Sequence, residues 1–188
     1  AEVDPGGAGA QTNPGALSAM AQGDGENQRD GRKALLKSIF IRGKVTVANY
    51  SAGTVSDQTK VRILLVQDKQ SNLAQLSAEQ VLNDPTDTAL DILALNNIQY
   101  KQRFTVLRDM WLDVDPSVGA GNGTTDDTGS FTKCFEIYKT LNIPVNHSGT
   151  TASITTINDN SLHLIAMKDT NSSSTANLQY ISRVRFVG

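Results

Sequence analysis

The chain has 188 residues, 38% of them hydrophobic and 19% charged, with a formal net charge of −2. That composition supports one folded domain with a sizeable core, and it excludes a chain disordered throughout or one that binds polyanions by bulk charge. No run of about 18 apolar residues and no charged-then-apolar leader occurs, so neither a membrane-spanning helix nor a signal peptide is expected.

Residues 1–28 are rich in Gly, Ala, Asn and Gln and hold Glu2, Asp4, Asp24 and Glu26 with no basic residue. Without apolar periodicity they read as an irregular N-terminal arm, and the folded domain is expected over 29–188. The charge then reverses. Arg29, Arg32, Lys33, Lys37, Arg42 and Lys44 stand against Asp30 alone. A strand is expected over Lys33–Ala48. Leu35, Ile39, Ile41, Val45 and Val47 share one parity; Phe40, Arg42, Lys44 and Thr46 share the other. Period 2 therefore makes one face apolar and the other basic.

A loop is expected over 49–59, followed by the run KVRILLVQDKQSN at 60–72. The run opens as a buried strand, with Val61, Ile63 and Leu65 on one face and Leu64 and Val66 on the other, and stops in polar turn residues. Ser77 and Gln80 have capping-box spacing and Pro85 follows, so a short helix is expected near 77–83. A second turn is expected over Thr88–Leu95. Strand alternation returns at 103–114. A long loop rich in Gly, Thr and Asp is expected over 116–130. Further strands are expected at Phe131–Leu141, Ile143–Asn146, Thr151–Ile157, Leu162–Lys168 and Leu178–Val187, with another loop at 169–176. Such spacing is that of an all-β antiparallel sandwich or barrel.

Catalytic patterns are weak. His147, read as a loop residue, and His163, in a strand, are the only histidines, and no carboxylate lies at ligand spacing from them. The GAGNG run at 119–123 lacks the Lys and Ser/Thr of a phosphate loop and follows no βαβ pattern. Asp109, Asp113, Asp115, Asp126 and Asp127 contain the oxygens a Ca²⁺ site needs, but read as solvated carboxylates. The sequons at Asn49, Asn122, Asn146 and Asn171 read as chance in a chain rich in Asn, Ser and Thr. Cys134, the sole cysteine, excludes an internal disulfide, and Phe131, Phe135 and Ile137 around it suggest a buried thiol. No enzyme, cofactor or metal is expected.

The basic face carries more. In the last strand Tyr180, Val184 and Phe186 share one parity and Ile181, Arg183, Arg185 and Val187 the other. If this strand pairs with Lys33–Ala48, Arg42, Lys44, Arg183 and Arg185 form one cationic patch. Arg29, Arg32 and Lys33 lie at its approach. Such a patch binds phosphates without reading bases.

The segments NQRDGRKALLKSIFIRG (27–43), VRILLVQDKQSN (61–72), RFTVLRD (103–109) and the closing RVRF, in that order, resemble capsid proteins of circular Rep-encoding single-stranded DNA viruses. The similarity extends to coat proteins of geminiviruses and of satellite tobacco necrosis virus. The resemblance spans residues 27–187. It implies a single jelly roll, an eight-stranded antiparallel β-sandwich with one or two short helices in a loop. The first and last strands would be sheet neighbours, and that sheet would face the particle interior. It further implies self-assembly into a small icosahedral shell, most simply a T=1 particle of about 60 subunits. The shell would enclose single-stranded DNA in a virion put together inside the host cell, the nucleus being one candidate compartment. The family's basic arm is missing from the acidic residues 1–28, so such an arm is expected upstream of Ala1. The alternatives are a capsid of the same fold that packages RNA, and a lectin-like carbohydrate-binding jelly roll. The low aromatic content, 5%, argues against the latter.

Overall fold

The structure is a computed structural model, and it describes residues 2–3, 11–12, 16–25, 27–48, 59–83, 92–114, 131–169 and 175–188. The elements in chain order are β1 (Glu2–Val3), β2 (Gln11–Thr12), β3 (Lys33–Ala48), β4 (Thr59–Asp68), α1 (Ala78–Val81), β5 (Leu82–Asn83) and β6 (Leu95–Asn96). After a 3-10 turn at Ile98–Tyr100 come β7 (Phe104–Val114) and β8 (Phe131–His147). A second 3-10 turn at Ile154–Thr156 precedes β9 (Ile157–Asp159), β10 (Ser161–Lys168) and β11 (Thr175–Val187). No helix among the described residues is long and apolar enough to cross a membrane.

The protein is all-β, with two antiparallel sheets packed face to face. The first runs β1-β11-β3-β8-β9 and the second β2-β10-β4-β7, with β5 and β6 paired separately. β3 and β11 pair from Thr175↔Ala48 to Val187↔Leu35, which is the pairing the parity argument requires. β3 is nevertheless not the first strand of this sheet: β1 precedes it in the chain and pairs on the far side of β11. The stretch read as an irregular arm thus supplies one short strand to each sheet. It also supplies packing: Met20 and Ser18 are buried, and Ser18 Oγ accepts the Leu162 N–H at 3.0 Å.

Period 2 builds the space between the sheets. Ile39, Ile41 and Val45 from β3 meet Val61, Ile63 and Leu65 from β4, with Leu162 and Leu164 from β10 and Leu178 from β11. All are fully buried, and each such side chain contributes about 1.5–3 kcal/mol relative to exposure. Gly43 occupies an inward position opposite Phe135. A Cβ there would lie 2.6 Å from the Phe135 ring and 2.8 Å from the Gln179 carbonyl oxygen, so only glycine leaves room for that ring.

The second face of β4 is buried as well. Leu64 and Val66 join Ile165 and Met167 of β10 and Phe104 of β7 in a separate apolar cluster, closed by Leu76, Ala78, Val81, Leu82 and Ala94. The long excursion between β4 and β7 thus covers the outer face of the second sheet. Two ion pairs hold it. Asp68, fully buried at the end of β4, receives Arg103 in a bidentate pair at 2.9 and 2.8 Å, just where the excursion returns. Arg62 pairs with Asp109 at 3.0 and 2.6 Å and donates to the carbonyls of Ile92 and Ala94. The expected helix is the single turn α1, whose Gln80 Oε1 accepts the Ser77 N–H at 3.2 Å, one half of the capping box.

Some local expectations change. The runs 131–141 and 143–146 form one strand, β8, and Pro144 is exposed within it. The Thr151–Ile157 run is not a strand. It forms bends and the second 3-10 turn, because its hydroxyls bind backbone locally: Ser153 Oγ accepts the Thr155 N–H, and Thr156 Oγ1 donates to the Thr151 and Ser153 carbonyls. His147 ends β8 rather than sitting in a loop, and it is buried. Cys134 is exposed. Phe135 and Ile137 point inward, so the alternate positions 134, 136 and 138 face out. The loop expected at 116–130, residues 49–58 of the first loop, residues 88–91 of the second turn and residues 170–174 of the last loop lie outside the described residues.

Candidate nucleic-acid interface

The outer face of the first sheet is built by alternate residues of three neighbouring strands. Across β8, β3 and β11 the register gives successive rows: Cys134, Lys44 and Gln179; then Glu136, Arg42 and Ile181; then Tyr138, Phe40 and Arg183; then Thr140, Ser38 and Arg185. Directly paired side chains sit about 5 Å apart and successive rows about 7 Å apart. Arg42, Lys44, Arg183 and Arg185 are all exposed, and the two bulged registers lie beyond this stretch of the face or at its edge. Sequence parity therefore places these four cations together, as expected.

Within these rows four cations face one carboxylate, Glu136. Arg42 Nε donates to Glu136 Oε1 at 2.7 Å, and both side chains are more than half exposed. Such a pair contributes about 0–1 kcal/mol and yields readily to a phosphate. The Arg42 guanidinium also lies 5.6 Å from the centroid of the Phe40 ring. A shallow open depression of about 470 Å³ runs along the same surface, lined by Arg42, Lys44, Cys134, Gln179 and Ile181 among others.

The remaining candidates separate. Arg32 and Lys33 are exposed at the start of β3, beyond the central rows. Arg29 is fully buried. Its guanidinium donates to the carbonyls of Met20, Gly31 and Gly149, tying the N-terminal stretch to the turn after β8. It binds the fold, and burial lowers its pKa. Nothing in its local sequence distinguishes it from Arg32; only the tertiary carbonyls do.

Three face residues were not read from the sequence as part of the site: Glu136, Tyr138 and Phe40. Their parity with Arg42 carried the signal, since any residue paired with an outward cation is itself outward.

The histidines belong to the interior. His163 Nε2 lies 2.8 Å from Ser161 Oγ, and Ser71 Oγ donates to Ser161 Oγ at 2.8 Å. A serine beside an imidazole is the pair a hydrolase uses, but all three residues here have no exposed surface and no substrate can reach them. Burial holds the His163 pKa at about 4, with the Arg103 charge adding to the lowering and Asp68 opposing it. His147 is also held at about 4, by burial and then by the Arg29 charge, against Asp159. Neither ring nitrogen of His147 has a hydrogen-bond partner. Asp109 is engaged by Arg62, and no cluster of three or more His, Cys, Asp or Glu among the described residues could hold a metal ion.

No family model matches the chain, and no curated protein matches it.

Proposed function

We propose that this protein is a non-enzymatic jelly-roll capsid subunit that assembles into a closed shell around a single-stranded nucleic acid, with the outer face of its first sheet turned to that cargo. The observation that carries the reading is the group of four exposed cations, Arg42, Lys44, Arg183 and Arg185, one in each of four successive rows, on a sheet whose counterpart is covered. Flat, exposed cations at regular spacing neutralise phosphates and read no bases.

Strand order supports the jelly roll. With β1, β2, β3, β4, β7, β8, β10 and β11 counted as first to eighth, the sheets run 1-8-3-6 and 2-7-4-5. That is the order of two interlocked Greek keys. The resemblance of the four ordered segments supplies the capsid role and favours DNA over RNA as cargo.

Size-exclusion chromatography with electron microscopy of the purified chain tests assembly. Spherical shells about 20 nm across are expected. A monodisperse monomer under all assembly conditions overturns the reading. Replacing Arg42, Lys44, Arg183 and Arg185 by Ala is expected to lower the nucleic acid carried per shell, read from the ratio of absorbance at 260 and 280 nm, while shells still form. Equal content in the variant removes this face from packaging.

A further inference from the structure

We propose that Tyr138 and Phe40 form a base-stacking platform, so that this face takes a single strand with unpaired bases in preference to a duplex. This rests on the nucleic-acid reading above and deepens it.

Tyr138 is 67% exposed at the middle of a long strand, and it belongs to neither apolar cluster. Its register partner is Phe40, whose own partner on the other side is Arg183. One row across the sheet therefore reads aromatic, aromatic, cation. Arg42 and Arg185 flank that row on the neighbouring outward positions, and Arg42 already lies over the Phe40 ring. Exposed Ile181, 70% accessible, continues the apolar surface beside Arg42. The adjoining depression, about 470 Å³, is of the size that takes a small planar group.

Phosphate neutralisation alone needs cations and water, not rings. Aromatic side chains on an open sheet, bordered by guanidinium groups, offer flat surfaces for bases whose faces are free. A duplex keeps its bases stacked on one another and can offer only its backbone here. The chemistry thus selects unpaired bases, with no sequence code, because every base has a π-face.

Fluorescence anisotropy tests this with three labelled probes of one length: a single-stranded oligonucleotide, its duplex, and an abasic strand of the same charge. The single strand should bind the purified chain more tightly than either other probe at matched salt. Tyr138→Ala should weaken single-strand binding about 10-fold and leave abasic binding unchanged, and Tyr138→Trp should retain the wild-type preference. Equal binding of abasic and base-bearing strands overturns stacking. So does a Tyr138→Ala variant that binds like wild type while replacement of Arg183 and Arg185 by Ala still weakens binding; in that case phosphate contact stands alone. A wild-type chain that binds none of the probes overturns both readings.

Discussion

The two sheets share one pattern of alternation, yet their outer faces have opposite fates. The outer side of β4 and β10 carries Leu64, Val66, Ile165 and Met167, and the excursion between β4 and β7 covers it. The outer side of β3 and β11 carries Arg42, Lys44, Arg183 and Arg185, all exposed, and none of the described residues covers them. The difference lies in which residue types occupy the second parity. Apolar residues there demand a cover, and cations there forbid one unless it brings negative charge. A covered face serves stability, and in the function proposed above the exposed cationic face is the one that meets the cargo.

Three expectations probe that contrast, beginning with the largest effect. Arg103→Ala leaves the Asp68 carboxylate buried without its partner, and should cost about 3–5 kcal/mol in urea unfolding. A loss below 1 kcal/mol would mean that the ion pair does not hold the cover in place.

Acidification comes next. Both histidines titrate near 4 in the folded protein, against about 6.5 when unfolded. Between those values the unfolded chain binds more protons, so stability is complete above about pH 6.5 and falls as pH drops toward 4. Each histidine accounts for roughly 3 kcal/mol at most. Urea midpoints across that window should fall on acidification, and His147→Leu should flatten the slope by removing one of the two groups. A slope that is unaffected would show that His147 is not held neutral.

The smallest effect on stability is expected from the bare face. Alanine at Arg42, Lys44, Arg183 and Arg185 should shift unfolding by less than about 1 kcal/mol, because the one ion pair lost is exposed. The same change should make the dependence of binding on salt shallower by up to about 3 in log–log slope, at roughly 0.7 per cation for single strands. Large destabilisation with an unchanged salt slope would reverse the roles assigned to the two faces.

How far the sequence foretold this varies with the range of the interaction. Alternation over 33–48 delimits β3 with its true bounds and, from Ile39 on, both faces. Before that the bulge between Leu36 and Ser38 shifts the parity, so Ala34 and Leu36 are buried where Leu35 is expected. The apolar second face of 61–66 also announced a buried strand. What covers it is not legible: Leu76, Val81 and Ala94 come from an excursion tied back by the Asp68–Arg103 and Arg62–Asp109 pairs, which join residues 35 and 47 positions apart. The two-residue strands β1 and β2 are too short to show a period. In sequence Arg29 reads as a cation for cargo because charge is visible there, whereas the three carbonyls that receive it are not. For Cys134 neighbour composition points inward, whereas alternation with buried Phe135 gives the exposed side it takes.

That exposed thiol has a topological use. Cys134 is the only cysteine in the chain and pairs in register with Lys44 on the cationic face. In a closed assembly of identical copies, every such thiol lies on the same side of the wall. A maleimide attached to a polymer too large to pass the shell should label Cys134 in dissociated subunits and spare it in intact particles if the face looks inward. Full labelling of intact particles would mean that the face looks out. In such an assembly one native atom per subunit would report the orientation of the whole wall.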